Sequence, residues 1–241
     1  MENALIRLWC DAFGDKREFA EGYMSTAYRP EYCRCVVEDG ELVGALHVMD
    51  CLVSDKLYAY IYAAAIVENH RGHGLFKKLL SDTERYLIDK GYCGTVLAAG
   101  DDGLVSAYEK LGFSRTAGLS PRRAYCRRGK GVKLRRVSAA EYIFERIKYL
   151  PEGAVLPCTA MSAFLERYAS LYVGEDLVLA VLTEGGFTAA EYLGNNEKLP
   201  DVLDTFGYAE GDFYVPCDTS KAMFRSFDGT SPSFLGISFG V

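Results

Sequence analysis

No apolar run among the 241 residues approaches the ~20 that a membrane-spanning helix needs, so no membrane partner is expected. Met1-Glu2-Asn3-Ala4 opens without a basic region followed by an apolar core, so no secretory signal is read and a cytoplasmic location is expected. The eight cysteines (10, 33, 35, 51, 93, 126, 158 and 217) lie scattered, mostly in apolar stretches, and read as free thiols. Cys33 and Cys35 would share one face of a strand, yet no second ligand pair stands near them. His70 and His73 likewise lack a carboxylate or third histidine at ligand spacing, so no metal is expected.

Acidic residues are missing from one long stretch. Residues 115–136 carry nine Lys or Arg and no Asp or Glu, whereas 137–241 carry a balance of −9 and 1–114 a balance of −6. The basic run reads as a solvated hairpin and linker, or as an attractor for a phosphorylated ligand. A nucleic-acid face is not expected, because the chain as a whole is acidic and the run has only Tyr125 as a stacking aromatic.

The chain is organised around Ala63 to Lys90. An apolar run turns through Arg71-Gly72-His73-Gly74 and continues as an amphipathic helix that stops at Gly91. First-turn amides of a helix have no internal partners and the helix dipole favours negative charge there, so such a junction suits an anion. The loop is not a P-loop, because no Gly-Lys-Ser/Thr follows. It is not the dinucleotide fingerprint, because the third glycine is missing.

Around this stretch the spacing predicts a helix over Glu2–Phe13 closed by Gly14, and a second over about Arg17–Ala27. A hairpin follows, Cys33–Glu38 with Leu42–Cys51 across Asp39-Gly40, and then a strand from about Leu57 to Val67. Tyr58, Tyr60 and Tyr62 share one face of that strand, and Tyr62 is a candidate pocket residue. Leu75, Phe76, Leu79, Leu80, Tyr86 and Leu87 form the buried stripe of the next helix. Its outer face would carry Lys77, Lys78, Asp82, Glu84 and Arg85. A strand over Gly94–Ala99 leads to Asp101-Asp102 as the N-cap of a helix over Leu104–Leu111, and a strand pair, Phe113–Arg115 with Arg122–Arg127, follows. Beyond Gly129 the reading gives a helix over Ala139–Leu150, a helical or irregular Met161–Ser170, and strands Leu177–Leu182 and Phe187–Leu193 about Glu184-Gly185-Gly186. A helix over Leu199–Phe206 capped by Asn195 and a strand over Asp212–Pro216 complete it.

Two segments in order resemble the GNAT family of N-acetyltransferases. Arg71-Gly72-His73-Gly74-Leu75-Phe76 resembles its motif A, with Phe76 where the family has a small residue. Ala107-Tyr108-Glu109-Lys110-Leu111-Gly112-Phe113 resembles its Tyr-x-Lys-x-Gly-Phe segment. The resemblance implies an α/β (α+β) fold: a mixed, mostly antiparallel twisted sheet flanked by helices. It implies acetyl-CoA as co-substrate, bound by Ala65, Ile66, Val67, Arg71, Gly72, His73, Gly74, Leu75 and Phe76. Asp101 would stand where the family has an asparagine, and Tyr108 would be both cofactor-binding and the general acid. Asp50, Glu68 and His47 are base candidates by chain position, each read as a surface or sheet-edge residue. The apolar terminus, Leu235 to Val241, offers a carboxylate as a further candidate.

The resemblance places an acetyl-CoA-binding catalytic domain at 1–128 and a smaller, degenerate acetyltransferase-like half at 129–241, as in tandem forms. The function expected is acetyl transfer to a primary amine, small molecule or peptide, in a direct ternary complex. The acidic second half would favour a cationic amine. The alternative is a non-catalytic acyl-CoA sensor or interaction module, and the reading leaves room for a homodimer.

Overall fold

Helix α1, Glu2–Phe13, forms where Leu5, Ile6, Leu8 and Trp9 make one apolar stripe, and Gly14 ends it at φ 72°. A computed structural model describes residues 1–182 and 185–237. After α1 come α2 (Arg17–Thr26), β1 (Cys33–Glu38), β2 (Glu41–Val53), β3 (Lys56–Ile66), α3 (Leu75–Asp89) and β4 (Gly94–Ala98). The described residues gather into two compact units, each built from separate stretches; 1–97, 157–164 and 225–231 form the first.

In the first unit β1, β2 and β3 are antiparallel neighbours and β4 lies parallel beside β3. Asp39 and Gly40 turn β1 into β2 with φ 50° and 81°, as a two-residue hairpin requires. Ser54 and Asp55 do the same before β3 at φ 47° and 65°, without a glycine. Leu79, Leu80 and Leu87 of α3 are buried, worth roughly 1.5–3 kcal/mol each. Glu84, expected on the solvated face, is only 6 % exposed. It stands one turn after Leu80 on the buried stripe, and its carboxylate is matched by Arg225 at 2.9 Å. Trp9, Tyr23, Tyr62 and Phe164 pack edge-on or tilted with ring centroids 5.1–5.9 Å apart.

The chain continues through α4 (Asp102–Lys110), β5 (Ser114–Arg115), β6 (Ala117–Tyr125), β7 (Leu134–Arg136), α5 (Ala139–Arg146), β8 (Leu156–Pro157) and α6 (Thr159–Tyr168). Then come β9 (Ala169–Gly174), β10 (Leu177–Leu182), β11 (Phe187–Gly194), α7 (Leu199–Phe206), β12 (Glu210–Cys217), β13 (Ala222–Ser226) and β14 (Phe234–Leu235). The second unit has a sheet of order β14-β6-β12-β11-β10-β9-β7, in which β11 and β12 are parallel and joined by α7. Leu179, Phe187, Tyr192, Leu203 and Phe213 fill its core.

The strand pair expected between Phe113–Arg115 and Arg122–Arg127 does not form. Only Thr116 separates β5 from β6, too little chain for a hairpin, so β5 pairs with β13 and β6 with β12 and β14. Asn195 caps a 3-10 turn at Glu197 N rather than α7, whose N-cap, Lys198, makes no side-chain cap. Part of the basic run is neutralised by acids elsewhere in the second unit. Arg123 donates to Asp212 at 2.6 Å and Glu210 at 2.5 Å, and Arg135 meets Glu141 at 2.6 Å. Arg146 and Glu191 form a buried ion pair, each 1 % exposed, that also engages the Tyr142 hydroxyl and the Ile237 amide. The hairpin residue Glu184 lies outside the described residues.

Candidate functional site

The ladder between β3 and β4 stops early. Its last partners are Tyr60 and Val96, and Ile61 to Ile66 are laddered on β2 alone. One edge of the β3 backbone therefore leaves the sheet while still carrying amides and carbonyls that need partners. A bulge sharpens the departure. His47 pairs with Tyr62 and Ala45 with Ala65, so Leu46 faces two residues, and Ala63 takes φ 44°. Sequence reading gave the three tyrosines one face and missed this bulge. The small triplet Ala63-Ala64-Ala65 was the available signal, because an alanine tolerates positive φ better than a β-branched residue. Gly44 on β2 lets Ile66 lie close, for a Cβ there would collide with Ile66 Cδ1.

Ala65 and Ile66 end β3, 7 % exposed each, and the Val67 amide donates to Val43 O at 2.9 Å. Glu68–His70 form one 3-10 turn. Arg71 folds back, its Nε donating to Ile66 O at 3.0 Å, so this side chain braces the loop against the strand end. Gly72 and Gly74 have φ 83° and 77°, with open space where a Cβ would stand. Conformation, not crowding, requires glycine at both. His73 is exposed, and Leu75 and Phe76 are half-buried in the first turn of α3. No side chain caps that helix, so its first-turn amides are left for another partner. Carbonyls, two left-handed glycines and a helix N-terminus thus follow one another within the first unit. Chemically, the arrangement suits a ligand bearing both an amide-like chain and an anionic group.

The other named residues divide by unit. Asp101, in the second unit, caps α4 by accepting from Leu104 N at 2.8 Å. Tyr108 sits on α4, 8 % exposed and edge-on to Phe113 at 5.3 Å, and burial pushes its phenol up to about 12. Of the base candidates, Glu68 is exposed in the 3-10 turn. Asp50 accepts from Tyr92 and stands 3.5 Å from Arg29. His47 is neither surface nor sheet edge. It lies mid-sheet on β2, 2 % exposed among Trp9, Tyr23 and Tyr28, and burial lowers it to about 4. Of the terminus, Ser238–Val241 lie outside the described residues. Among the described residues no group of three His, Cys, Asp or Glu could hold a metal ion, and no helix is long and apolar enough to cross a membrane.

The profile of the Acetyltransferase (GNAT) family matches residues 2–113, the stretch holding the glycine loop and the Tyr108 segment. Over these residues the chain is similar to that family. No curated protein matches it in sequence. Among solved structures, a GCN5-related N-acetyltransferase from Kribbella flavida superposes with TM-score 0.66 at 14% identity, over 94% of this chain and 68% of that one. A GCN5-related N-acetyltransferase from Anabaena variabilis gives TM-score 0.67 at 13% identity, over 93% and 70%. Eis1 from Mycobacterium abscessus gives 0.63 at 10% identity, over 94% and 71%. At these identities the likeness concerns the fold, which extends over most of the chain, and the GNAT family as a class transfers acyl groups.

Proposed function

We propose that this protein is an acetyl-CoA-dependent N-acetyltransferase acting on a primary amine by direct transfer. The observation that carries the reading is the departure of β3 from β4 and its run through Gly72 and Gly74 into the uncapped start of α3. In this reading the backbone at Ala65, Ile66 and Val67 meets the acyl chain, and an amide there faces the developing oxyanion. The amides of Gly72 through Phe76 take the phosphates, with Arg71 bracing the loop. Asp101 keeps its capping role and fixes the start of α4. Tyr108 donates a hydrogen bond to the leaving thiolate; with its phenol raised to about 12, it acts as a donor more than as a full proton source. Holding both substrates together supplies much of the rate, up to ~7–11 kcal/mol in favourable cases.

The acceptor follows less directly. The balance of −9 over 137–241 favours a cationic amine, although Glu210, Asp212 and Glu141 of that stretch are already paired with arginines. The same proposal keeps 129–241 as a second acetyltransferase-like half, supported by the β10–β11–α7–β12 order and its parallel pair. Phe76, half-buried in the first turn of α3 where a small residue is usual in motif A, favours a second reading, a module that holds acyl-CoA without turnover.

One experiment separates them. Calorimetric titration with acetyl-CoA and CoA is followed by thiol-release assays on cationic and neutral amines, for the wild type and Tyr108→Phe. Micromolar binding with turnover that Tyr108→Phe reduces by ~10² or more supports the enzyme. Binding without turnover on any amine supports the sensor, and absence of binding overturns both.

A further inference from the structure

We propose that β1 is a self-complementary edge on which a second copy of this chain pairs, antiparallel, so that one sheet runs on across a dimer. β1 pairs with β2 alone, and its outer side therefore carries a row of amides and carbonyls without ladder partners. Edge strands are commonly guarded by lysine, proline or a bulge of their own. Cys33-Arg34-Cys35-Val36-Val37-Glu38 has no lysine and no proline, and the extra residue in its ladder, Val43, belongs to β2. Val37 is 50 % exposed on this edge, and Cys35 is exposed beside it.

The order of residues selects the register. Side chains alternate along a strand, so Arg34, Val36 and Glu38 share one face and Cys33, Cys35 and Val37 the other. An antiparallel pair centred on Val36 sets Val36 against Val36 of the second copy. On either side of that two-fold axis Arg34 then faces Glu38 on one face of the sheet, and Cys35 faces Val37 on the other. Opposite charges directly across a ladder stabilise it, and like charges destabilise it. Centring on Cys35 or on Val37 leaves Arg34 with no acid opposite. Both charges are within reach of the edge. The Arg34 guanidinium lies 3.6 Å over the Tyr86 ring of α3, which fixes it on that face, and Glu38 is 46 % exposed with His70 at 3.7 Å. The pairing concerns assembly and holds with or without acyl transfer.

Sedimentation equilibrium of the reduced full chain, without CoA, tests the pairing over roughly 10–300 µM, because so short a ladder makes a small interface. The wild type should populate a dimer in that range. Glu38→Lys, at an exposed position, sets a lysine across from Arg34 twice per dimer and should raise the dissociation constant at least tenfold. Adding Arg34→Glu restores opposite charges in the same register and should bring the constant back to within about threefold of wild type. Under mild oxidation, Val37→Cys should link two chains through position 37 of one and Cys35 of the other, since directly opposed Cα atoms stand ~4.5–5.5 Å apart, within disulfide range. Peptide mass spectra read that link. A chain that stays monomeric throughout, a dimer indifferent to Glu38→Lys, or a Cys35–Cys35 link between wild-type chains would overturn the proposal.

Discussion

Replacing Arg146 with methionine should destabilise the second unit severely, and a compensating change at Glu191 should repair it. The Glu191 carboxylate accepts from Arg146 Nε at 2.6 Å and Nη2 at 2.9 Å, from the Tyr142 hydroxyl at 2.8 Å and from Ile237 N at 3.1 Å. In Arg146→Met the last two donors remain, but the charge has lost its counterion while staying 1 % exposed. Removing one partner of such a pair costs ~3–5 kcal/mol. At ~2–4 °C per kcal/mol for a chain of this size, the melting temperature should fall by roughly 6–20 °C. Arg146→Met with Glu191→Gln keeps an oxygen acceptor for Ile237 N, turns its amide nitrogen into a donor to the Tyr142 hydroxyl oxygen, and removes both charges. It also removes Arg146 Nη1, a buried donor with no partner. The double variant should therefore return to within about 1–2 kcal/mol of wild type. Urea unfolding followed by circular dichroism measures both. A loss below ~1 kcal/mol in the single variant, or a double variant as unstable as the single one, would refute the reasoning.

Four further outcomes follow from the geometry. Gly74→Ala forces a side chain into φ 77°, which should cost ~1–2 kcal/mol of stability and weaken CoA binding in calorimetry, while Gly14→Ala, at φ 72° but far along the chain from the loop, should cost stability alone. His47 is held near 4, below its unfolded value of ~6.5, so the unfolded chain binds its proton first as pH falls. The stability from burying a neutral imidazole is complete above ~6.5 and is lost between ~6.5 and about 4, a swing of about 3 kcal/mol that His47→Gln should remove from urea midpoints measured by the emission of Trp9. Asp55→Gly relieves a residue at φ 65° and should raise the unfolding free energy from urea titration modestly, by under ~1 kcal/mol. Arg71→Ala removes the brace on Ile66 O and should loosen the loop, raising the Kd for CoA more than it lowers the melting temperature.

Local chemistry made much of the fold readable. The α1 stripe and its closing glycine, the Asp39-Gly40 turn, and the β10–β11 hairpin follow from periodicity and turn residues a few positions apart. The glycine loop was legible for the same reason, since φ demands leave glycine as their mark. What escaped depends on partners far away in sequence. Glu84 reads as a surface charge until Arg225 is brought to it, and His47 as an edge residue until three aromatic rings close around it. The pairing of β5 with β13 is likewise set by a strand far along the chain, and no window of sequence contains it.

The first unit needs chain that is made late. Its residues 1–97 are completed by 157–164 and 225–231, and the last of these segments lies against its sheet, with Tyr58 donating to Thr230 O at 2.7 Å and Lys56 to Asp228 at 2.7 Å. During synthesis at ~5–20 residues per second, adding residues 98 to 231 takes about 7–27 s, and for that interval β4 waits without its final covering. The glycine loop can then reach its finished setting only when the polypeptide is nearly whole. A fragment ending at residue 113 or 128 should emerge from the ribosome as a client for chaperones rather than as a small acyltransferase.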